Sequence, residues 1–326
     1  MMKKIAVVLF FCAALCQAIV AQSQTPVAVN GALKVKGNQI VNKKGVPPQL
    51  RGISLSWSLW AGRKYYNADV IDWLAKDFKA SIIRASMGVQ PAGGYLQQPD
   101  SQKQLIVNVV DQAIKDGVYV LIDWHDHNSH LHIPQSKAFF AEMAKKYASV
   151  PNVIYEIWNE PERVNWDTIK NYALQVIPEI RKYDKTGLII VGSPHWDQDV
   201  DIAAASPITG FKNIAYSFHF YASDNNHQDG LRAKANKAIQ LGLPLMVTEW
   251  GVGESNGNGV FDLAMNKKWI DWMESNHLSW ANWNVTDKQE TTALLQPGAP
   301  ANGGWTAEQL TPSGRYVKEM LLLLNK

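Results

Sequence analysis

Cysteine is nearly absent from this sequence of 326 residues. Cys12 and Cys16 both fall within residues 1–21, so a chain cut after that segment would carry no thiol. A disulfide framework, the usual support of small secreted domains, is therefore excluded as the source of stability. The stability must come from an apolar core, and 46% apolar residues in a chain of this length are enough to build one.

An excess of either charge is also absent. The chain has 32 basic and 29 acidic residues, and loss of Lys3 and Lys4 with residues 1–21 would leave 30 and 29, a net charge of +1. Proteins that bind nucleic acid or an anionic membrane surface usually carry a strongly basic patch or balance. The sequence indicates neither partner, and no nucleic acid is expected.

A long apolar run occurs at the N-terminus. MMKK is followed by IAVVLFFCAALCQAIV, by the small residue Ala21 and by polar QSQT, the pattern of a secretory signal peptide over residues 1–21. We expect cleavage near Ala21, no membrane span in the mature chain, and a secreted product, periplasmic or extracellular. A buried first helix, a membrane anchor and a lipid anchor on Cys16 are the alternatives. The run is short for a span, and Leu15 is larger than the residue that usually precedes a lipidated cysteine.

A glycine-rich phosphate-binding loop is missing after the first strand candidate, where the chain reads SLSWSLWAGRKYY. This argues against an open doubly wound sheet. Eight strand candidates too apolar to alternate are separated by helical patterns, which predicts an α/β fold, a closed (β/α)8 TIM barrel preceded by a short N-terminal β-hairpin at residues 32–49. No linker or repeat interrupts residues 22–326, so one domain is expected. The strand candidates are residues 51–55, 81–87, 118–125, 152–159, 187–192, 213–220, 243–250 and 278–285, and the main helical patterns are 67–78, 101–116, 135–148, 166–183 and 312–324.

Polar and aromatic side chains end these strands. In a (β/α)8 barrel the C-terminal strand ends meet at one face, and that face carries the active site. Seven of the eight strands contribute residues to one mouth, namely Trp57, Arg84, His125, Asn159, Glu160, His219, Tyr221, Glu249 and Trp283.

Two of these side chains are carboxylates that would face each other across the mouth, Glu160 after the fourth strand and Glu249 on the seventh. A facing pair suits glycosidic cleavage, because one carboxyl group can protonate the leaving oxygen while the other attacks the anomeric carbon or activates water. A lone strand-end glutamate would more simply form an ion pair. The imidazole and aromatic groups on neighbouring strands favour a catalytic site instead.

Seven motifs follow one another along the chain: RGISLSWSLW, IIRASM, DWHDH, IWNEP, SFHFYA, TEWG and WANWNVTDKQE. In this order they resemble glycoside hydrolase family 5, close to the bacterial endoglucanases of its second subfamily, from about Leu50 to the C-terminus. The resemblance implies a retaining endo-β-1,4-glucanase, a cellulase that acts on β-glucan oligo- or polysaccharides through a covalent glycosyl-enzyme intermediate. It implies neither a cofactor nor a metal.

Matched residue by residue, the family pattern makes Glu160 the acid/base and Glu249 the nucleophile. These roles require a raised pKa for Glu160 and an ionised Glu249, which Arg84 would keep charged. Asn159 would bond the 2-hydroxyl of the sugar being cleaved. The resemblance further implies that His125, His219 and Tyr221 line the site, that Trp283 stacks under a sugar ring, that Lys288 and Glu290 bond hydroxyls further along, and that Trp57 and Trp60 lie in the cleft or in the core.

Three other functions stay open from sequence. DWHDHNSHLH places His125, His127, His130 and His132 close together, and His-x-His at a strand end is metal-ligand spacing, although no cysteine or carboxylate cluster completes such a site. A non-catalytic carbohydrate-binding barrel would keep the tryptophans without the chemistry. Within the family, an endo-β-1,4-mannanase or a mixed-linkage glucanase is the alternative. We expect a monomer without a separate carbohydrate-binding module.

Overall fold

The computed structural model describes residues 24–325. The predicted signal segment, its cleavage point near Ala21 and both cysteines lie outside the described residues. The first described helix, α1 (Pro26–Asn30), begins at Thr25, whose hydroxyl accepts a hydrogen bond from the backbone N–H of Ala28. The chain then enters the short hairpin that precedes the barrel.

The hairpin consists of β1 (Lys34–Lys36) and β2 (Gln39–Val41), which pair antiparallel around a turn at Gly37 and Asn38. Eight further strands pair in parallel and close into a barrel in which the last strand pairs with the first. The predicted (β/α)8 barrel with an N-terminal hairpin is confirmed. These strands are β3 (Arg51–Leu55), β4 (Ile82–Gly88), β5 (Tyr119–His125), β6 (Val153–Glu156), β7 (Leu188–Val191), β8 (Ile214–Tyr221), β9 (Leu245–Gly251) and β10 (Trp280–Val285).

Helices follow the strands around the outside of the barrel. None of those within residues 24–325 is both long and apolar enough to cross a membrane. The helices after α1 are α2 (Ala68–Lys76), α3 (Pro99–Asp116), α4 (Ile133–Lys146), α5 (Trp166–Tyr183), α6 (Pro194–Asp197), α7 (Val200–Ala205), α8 (Asp229–Gln240), α9 (Leu263–Ser275) and α10 (Pro312–Leu324), with 3-10 turns at Trp60–Tyr65, Ser129–Leu131 and Ala307–Gln309.

Short polar side chains set the helix starts. Asn67, Asn165, Asp262 and Thr311 each accept a hydrogen bond from the backbone N–H three residues on, at the starts of α2, α5, α9 and α10. This satisfies an N–H group that the first helical turn leaves free. Gly117 ends α3 with φ of 69°, a left-handed conformation that favours glycine.

The two faces of the strands build different regions. In β5, Val120 and Ile122 pack outward against the helices, whereas Tyr119 and Leu121 belong to a smaller apolar cluster that Leu33 of the hairpin also joins. Because side chains alternate along a strand, the next inward positions after this cluster reach the opposite end of the barrel. There the inward side chains become polar, and this end holds the candidate site.

Candidate active site

Arg84, fully buried on β4, is the centre of the polar network. Its Nε donates to Oε2 of Glu156 over 2.7 Å, Nη1 donates to Oε2 of Glu249 over 2.8 Å, and Nη2 donates to Oδ1 of Asn159 over 2.6 Å. Nη2 also lies 2.9 Å from Oδ2 of Asp123. Burial opposes the guanidinium charge, but the surrounding carboxylates hold the pKa of Arg84 above its usual range. One cation therefore organises three strands of the barrel.

Glu249 lies on β9 and is 3% exposed. Its Oε1 accepts a hydrogen bond of 2.8 Å from the hydroxyl of Tyr221, and its Oε2 accepts the bond from Arg84. Burial and the negative charge of Glu160 raise the pKa of Glu249, while Arg84, His219 and Tyr221 oppose the rise. Both oxygens are thus held in fixed positions by donors that favour the ionised form.

Glu160 follows β6, which ends at Glu156, three residues before the predicted strand end at Asn159. Oε1 of Glu160 lies 3.0 Å from Nδ1 of His219. Burial raises the pKa of Glu160, but the His219 hydrogen bond and charge outweigh it and the pKa is lowered. This differs from the raised pKa expected from sequence, because the imidazole partner was not foreseen. An oxygen of Glu160, an oxygen of Glu249 and a ring nitrogen of His219 all lie within 4.8 Å of one another.

His219, on β8 and 1% exposed, connects Glu160 to a second set of partners. Its Nε2 lies 2.8 Å from Oγ1 of Thr248 and 3.1 Å from Oγ of Ser217. Oδ2 of Asp197 is 3.5 Å from the same nitrogen. Burial lowers the pKa of His219, but the carboxylates around it more than compensate and raise the pKa well above its ordinary value. The surrounding carboxylates therefore favour the charged form of the ring.

Aromatic rings line one side of the mouth. Nδ1 of His125 lies 2.7 Å from Oδ2 of Asp123. The His125 ring lies parallel to that of Trp283, with ring centres 5.4 Å apart. The ring of Trp57 lies edge-on to that of His125, with ring centres 4.1 Å apart. The ring centres of Trp57 and Trp60 are 5.6 Å apart. Burial, together with the charge of Arg84, lowers the pKa of His125 well below its ordinary value, which favours the neutral ring. Trp60 is 66% exposed, which places it at the cleft rim and not in the core.

Lys288 and Glu290 lie on the loop after β10. Nζ of Lys288 is 2.5 Å from Oε2 of Glu290, so the two predicted sugar contacts form an ion pair with each other. Nδ2 of Asn284 donates to Oε1 of Glu290 over 3.4 Å. Both residues line a separate cleft of about 360 Å³. Among the contacts that the described residues make, none joins this pair directly to Glu160 or Glu249.

A cleft of about 650 Å³ opens from Glu160 and His219 toward the loops after β7, β8 and β9. Its wall includes residues that were not predicted from the sequence, because they follow strand ends whose motifs give no periodic signal. They are His195, Trp196, Gln198, Asp224, Asn226, His227, Ser255 and Asn256.

Three buried carboxylates of the network were also missed, namely Asp123, Glu156 and Asp197. Glu156 had a signal, since it is the single polar residue in the run VIYEIW. Asp123 stands two residues before His125 and on the same face of β5. Asp197 had no comparable signal, because it ends α6, a single turn whose left-handed backbone the sequence does not reveal.

The four histidines of DWHDHNSHLH have different partners. His125 contacts Asp123, His132 contacts Asp126 over 2.7 Å, and Nδ1 of His127 lies 3.0 Å from Glu162. His130 stacks on Trp158. Two groups within residues 24–325 have metal-ligand spacing, Glu156 with Asp197 and His219, and Glu160 with His219 and Glu249. None of the four histidines belongs to either group.

Comparison with known proteins agrees with this geometry. The family model for cellulase, glycosyl hydrolase family 5, matches residues 41–289. An endoglucanase of Clostridium saccharobutylicum is 43% identical over 89% of this chain and 65% of its own length. Endoglucanase Z of Dickeya dadantii is 44% identical over 89% of this chain and 66% of its own length. The chain thus spans just under two thirds of these relatives.

Solved structures show the same likeness. A protein from Cytophaga hutchinsonii is 44% identical, with a TM-score of 0.90 over 93% of this chain and 98% of that chain. The catalytic domain of the Thermobifida fusca endoglucanase Cel5A is 37% identical, with a TM-score of 0.87 over 92% of this chain and 100% of that chain. A variant of that domain was solved in complex with cellotetraose. The chain belongs to the cellulase family, glycosyl hydrolase family 5.

Proposed function

We propose that the protein is a secreted endo-β-1,4-glucanase that cleaves internal bonds with retention of configuration. The observation that carries the proposal is the pair Glu160 and Glu249, whose oxygens approach within 4.8 Å. Retaining glycosidases have carboxyl groups about 5 to 5.5 Å apart, whereas inverting ones leave about 6.5 to 9.5 Å for a water molecule. The close approach supports direct attack by one carboxylate on the sugar.

Glu249 is the proposed nucleophile. Arg84 and Tyr221 each donate to one of its oxygens, which favours the ionised carboxylate despite burial. The carboxylate attacks the anomeric carbon and forms a covalent glycosyl-enzyme ester as the bond to the leaving oxygen breaks. The ester no longer carries the negative charge, so the electrostatic influence on the opposite carboxyl group changes at this step.

Glu160 is the proposed acid/base. It transfers a proton to the leaving oxygen, and in the second half-reaction it takes a proton from the water that hydrolyses the ester. Nδ1 of His219, 3.0 Å from Oε1, is a source from which Glu160 can take the proton that it gives to the leaving oxygen, and the proton taken from water then restores the pair. Asn159, which Arg84 holds through Oδ1, has an Nδ2 group without a partner among the described residues, as expected of a donor reserved for a sugar hydroxyl.

A β-1,4-glucan is the proposed substrate. The aromatic wall of Trp57, Trp60 and Trp283 offers apolar faces of the kind on which sugar rings stack. The cellotetraose complex of the Thermobifida fusca variant supports the same class of ligand. We further propose that the mature chain acts as a monomer after removal of residues 1–21, since a groove of this kind needs no second subunit.

The test uses the mature chain on carboxymethylcellulose, lichenan and mannan, with and without EDTA. Viscosity and reducing ends are followed, with Glu249→Gln as the inactive control. A rapid fall in viscosity on carboxymethylcellulose that EDTA does not affect and that the control lacks is the expected result. Preferred release of reducing ends from mannan or lichenan would show that the substrate is a mannan or a mixed-linkage glucan. Release that EDTA abolishes would indicate a metal-dependent mechanism. Binding without release would indicate a carbohydrate-binding barrel.

Glu160→Gln tests the acid role separately. Its activity on cello-oligosaccharides should fall by at least about a hundredfold, whereas dinitrophenyl cellobioside, whose leaving group needs no proton, should lose far less in the first step. Equal losses on both substrates would remove Glu160 from the acid role.

A further inference from the structure

Asp197 reaches the site through an unusual turn. His195, Trp196 and Asp197 have φ of 59°, 54° and 59°, three consecutive left-handed residues without a glycine. The N–H of Ser193 donates to Oδ1 of Asp197 over 2.5 Å, and the N–H of Trp196 donates to the carbonyl of Pro161 over 3.0 Å. The turn is therefore fixed to the segment that carries Glu160. Backbone strain of this kind persists where the surrounding structure requires it, and it is concentrated at functional sites.

The second oxygen of Asp197 is left facing His219. The side chain is fully buried, and Oδ2 has no hydrogen-bond partner within residues 24–325. Its distance to Nε2 of His219 is 3.5 Å. A buried carboxylate oxygen without a donor is costly, so its approach to a ring nitrogen requires an explanation.

Glu156 also lies near the ring, but its two oxygens have other partners. It lies 3.8 Å from Nε2 of His219, but its Oε2 accepts from Arg84 and its Oε1 accepts from Ser217. Both Glu156 oxygens are already engaged. Of these two carboxylates, Asp197 is the one with a free oxygen beside the imidazole.

We infer that Asp197 is a positioning residue that keeps a proton on Nε2 of His219 and thereby leaves Nδ1 to share its proton with Glu160. The inference rests on the proposed acid/base role of Glu160. With Nε2 protonated, the 3.0 Å contact between Nδ1 and Oε1 of Glu160 has two states. Either the ring is an imidazolium and Glu160 a carboxylate, or the ring is neutral and Glu160 is the acid that faces the bare Nδ1.

Without the Asp197 charge, the tautomer would change. The hydroxyl of Thr248, 2.8 Å from Nε2, can donate to that nitrogen once it is unprotonated. The single proton of a neutral imidazole would then reside on Nδ1, where it fixes Glu160 as a hydrogen-bond-accepting carboxylate. Transfer of that proton to Glu160 would leave the ring as an imidazolate anion, because Nε2 would carry no proton. Burial raises the pKa of Asp197, whereas the charge of His219 and the N–H of Ser193 oppose the rise, and the carboxylates around the ring raise the pKa of His219.

Asp197→Asn separates the charge from the shape. Asparagine keeps an oxygen for the N–H of Ser193 and presents an amide donor to Nε2 of His219. Asp197→Ser is a second uncharged variant in case the first folds poorly. Asp184→Asn is the matched control, because Asp184 is also buried and accepts from the backbone of Gly187 over 2.8 Å but precedes β7 at the opposite end of the barrel.

The first readout is independent of activity. ¹⁵N-histidine NMR of the resting enzyme, with His219→Asn used to assign the signals, reports which ring nitrogen is protonated. We expect Nε2 of His219 to be protonated at neutral pH in the wild type and in Asp184→Asn. In Asp197→Asn and Asp197→Ser the Nε2 signal should move to the range of an unprotonated nitrogen.

The second readout is the dependence on leaving group. For Asp197→Asn, kcat on cellopentaose should fall by at least about tenfold, while the first-step rate on dinitrophenyl cellobioside should change by less than about threefold. An unaltered Nε2 signal, unaltered kinetics, or losses that are equal on both substrates and follow a lower Tm would each overturn the inference. Failure of the proposed function is distinguishable, because Glu160→Gln would then lack the leaving-group dependence whatever the state of His219.

Discussion

Arg84 and Glu249 form a buried ion pair in which Nη1 donates to Oε2 over 2.8 Å and the two side chains are 0% and 4% exposed. The same guanidinium also holds Glu156 and Asn159, so its planar fork fixes the distance between Glu249, the proposed nucleophile, and Asn159, the residue before the proposed acid/base. A lysine ammonium group could attract the carboxylates but could not direct separate hydrogen bonds to all three partners. The relationship therefore joins stability and catalysis in one side chain.

Arg84→Lys should lower kcat/KM by at least about a hundredfold, because lysine keeps the charge but cannot bond Glu249, Glu156 and Asn159 together. The free energy of unfolding should fall by about 3 kcal/mol, since buried carboxylates lose their partner. Steady-state kinetics and urea unfolding measure the two effects. Arg51→Lys is the control, because Arg51 forms a similar fork with Glu274 at the N-terminal end of β3. It should lose stability without a change in kcat/KM, and an equal pattern in both variants would contradict the prediction.

Tyr221→Phe should move the acid limb of the pH–rate profile to higher pH by about one unit. The tyrosine hydroxyl donates to Oε1 of Glu249, and this bond lowers the pKa of Glu249 against the effect of burial. Its loss raises that pKa further, so the required carboxylate is protonated sooner as the pH falls. Tyr147→Phe, which removes a hydroxyl bond to Asp111 far from the mouth, should leave the profile unchanged. An acid limb that stays in place, or moves down, would contradict the role of Tyr221.

Glu156→Gln should change how stability depends on pH. Burial opposes ionisation of Glu156, but Arg84 and His219 lower its pKa to about 2 from the usual 4.5. A depressed pKa stabilises the folded state above pH 4.5, and this contribution is lost as the pH falls from 4.5 toward 2. Its size is about 3 kcal/mol at neutral pH.

Urea unfolding at several pH values checks this. The wild type should exceed Glu156→Gln in unfolding free energy at pH 7, and the difference should shrink below pH 4.5. Glu142→Gln, which changes a glutamate that is 53% exposed, should differ from wild type by less than about 0.5 kcal/mol throughout. A difference for Glu156→Gln that does not depend on pH would show that the carboxylate is not ionised in the folded protein.

The strands and the larger helices could be predicted because their signals are local. Apolar runs such as VYVLIDWH indicate strands that are buried on both faces. Asn165 marks the start of α5 at Trp166. β6 ends earlier than predicted because the chain leaves the regular ladder after Glu156, and the N–H of Asn159 bonds the carbonyl of Trp124. Such a departure depends on neighbouring strands, so the run of apolar residues could not reveal it.

The site could be predicted where a residue ends a strand, and less well where a residue acts through a partner. The pKa of Glu160 depends on His219, 59 positions away, and sequence gives no distance between them. Lys288 and Glu290 were expected on sugar hydroxyls but bond each other in the free structure. Asp197 could not be predicted because three left-handed residues have no periodic or compositional signature.

Trp60→Ala should weaken substrate binding without weakening the fold. The ring is 66% exposed and lies 5.6 Å from Trp57, so it extends the aromatic wall toward solvent. Loss of one stacking face is worth about 1 kcal/mol, which corresponds to a roughly fivefold rise in KM for cello-oligosaccharides. Leu241→Ala removes another exposed apolar side chain, 55% exposed and just before β9 at the far end of the barrel, and should change neither KM nor Tm. If Trp60→Ala lowered Tm while KM stayed constant, the tryptophan would be a packing residue and the substrate groove would have to lie elsewhere on the mouth.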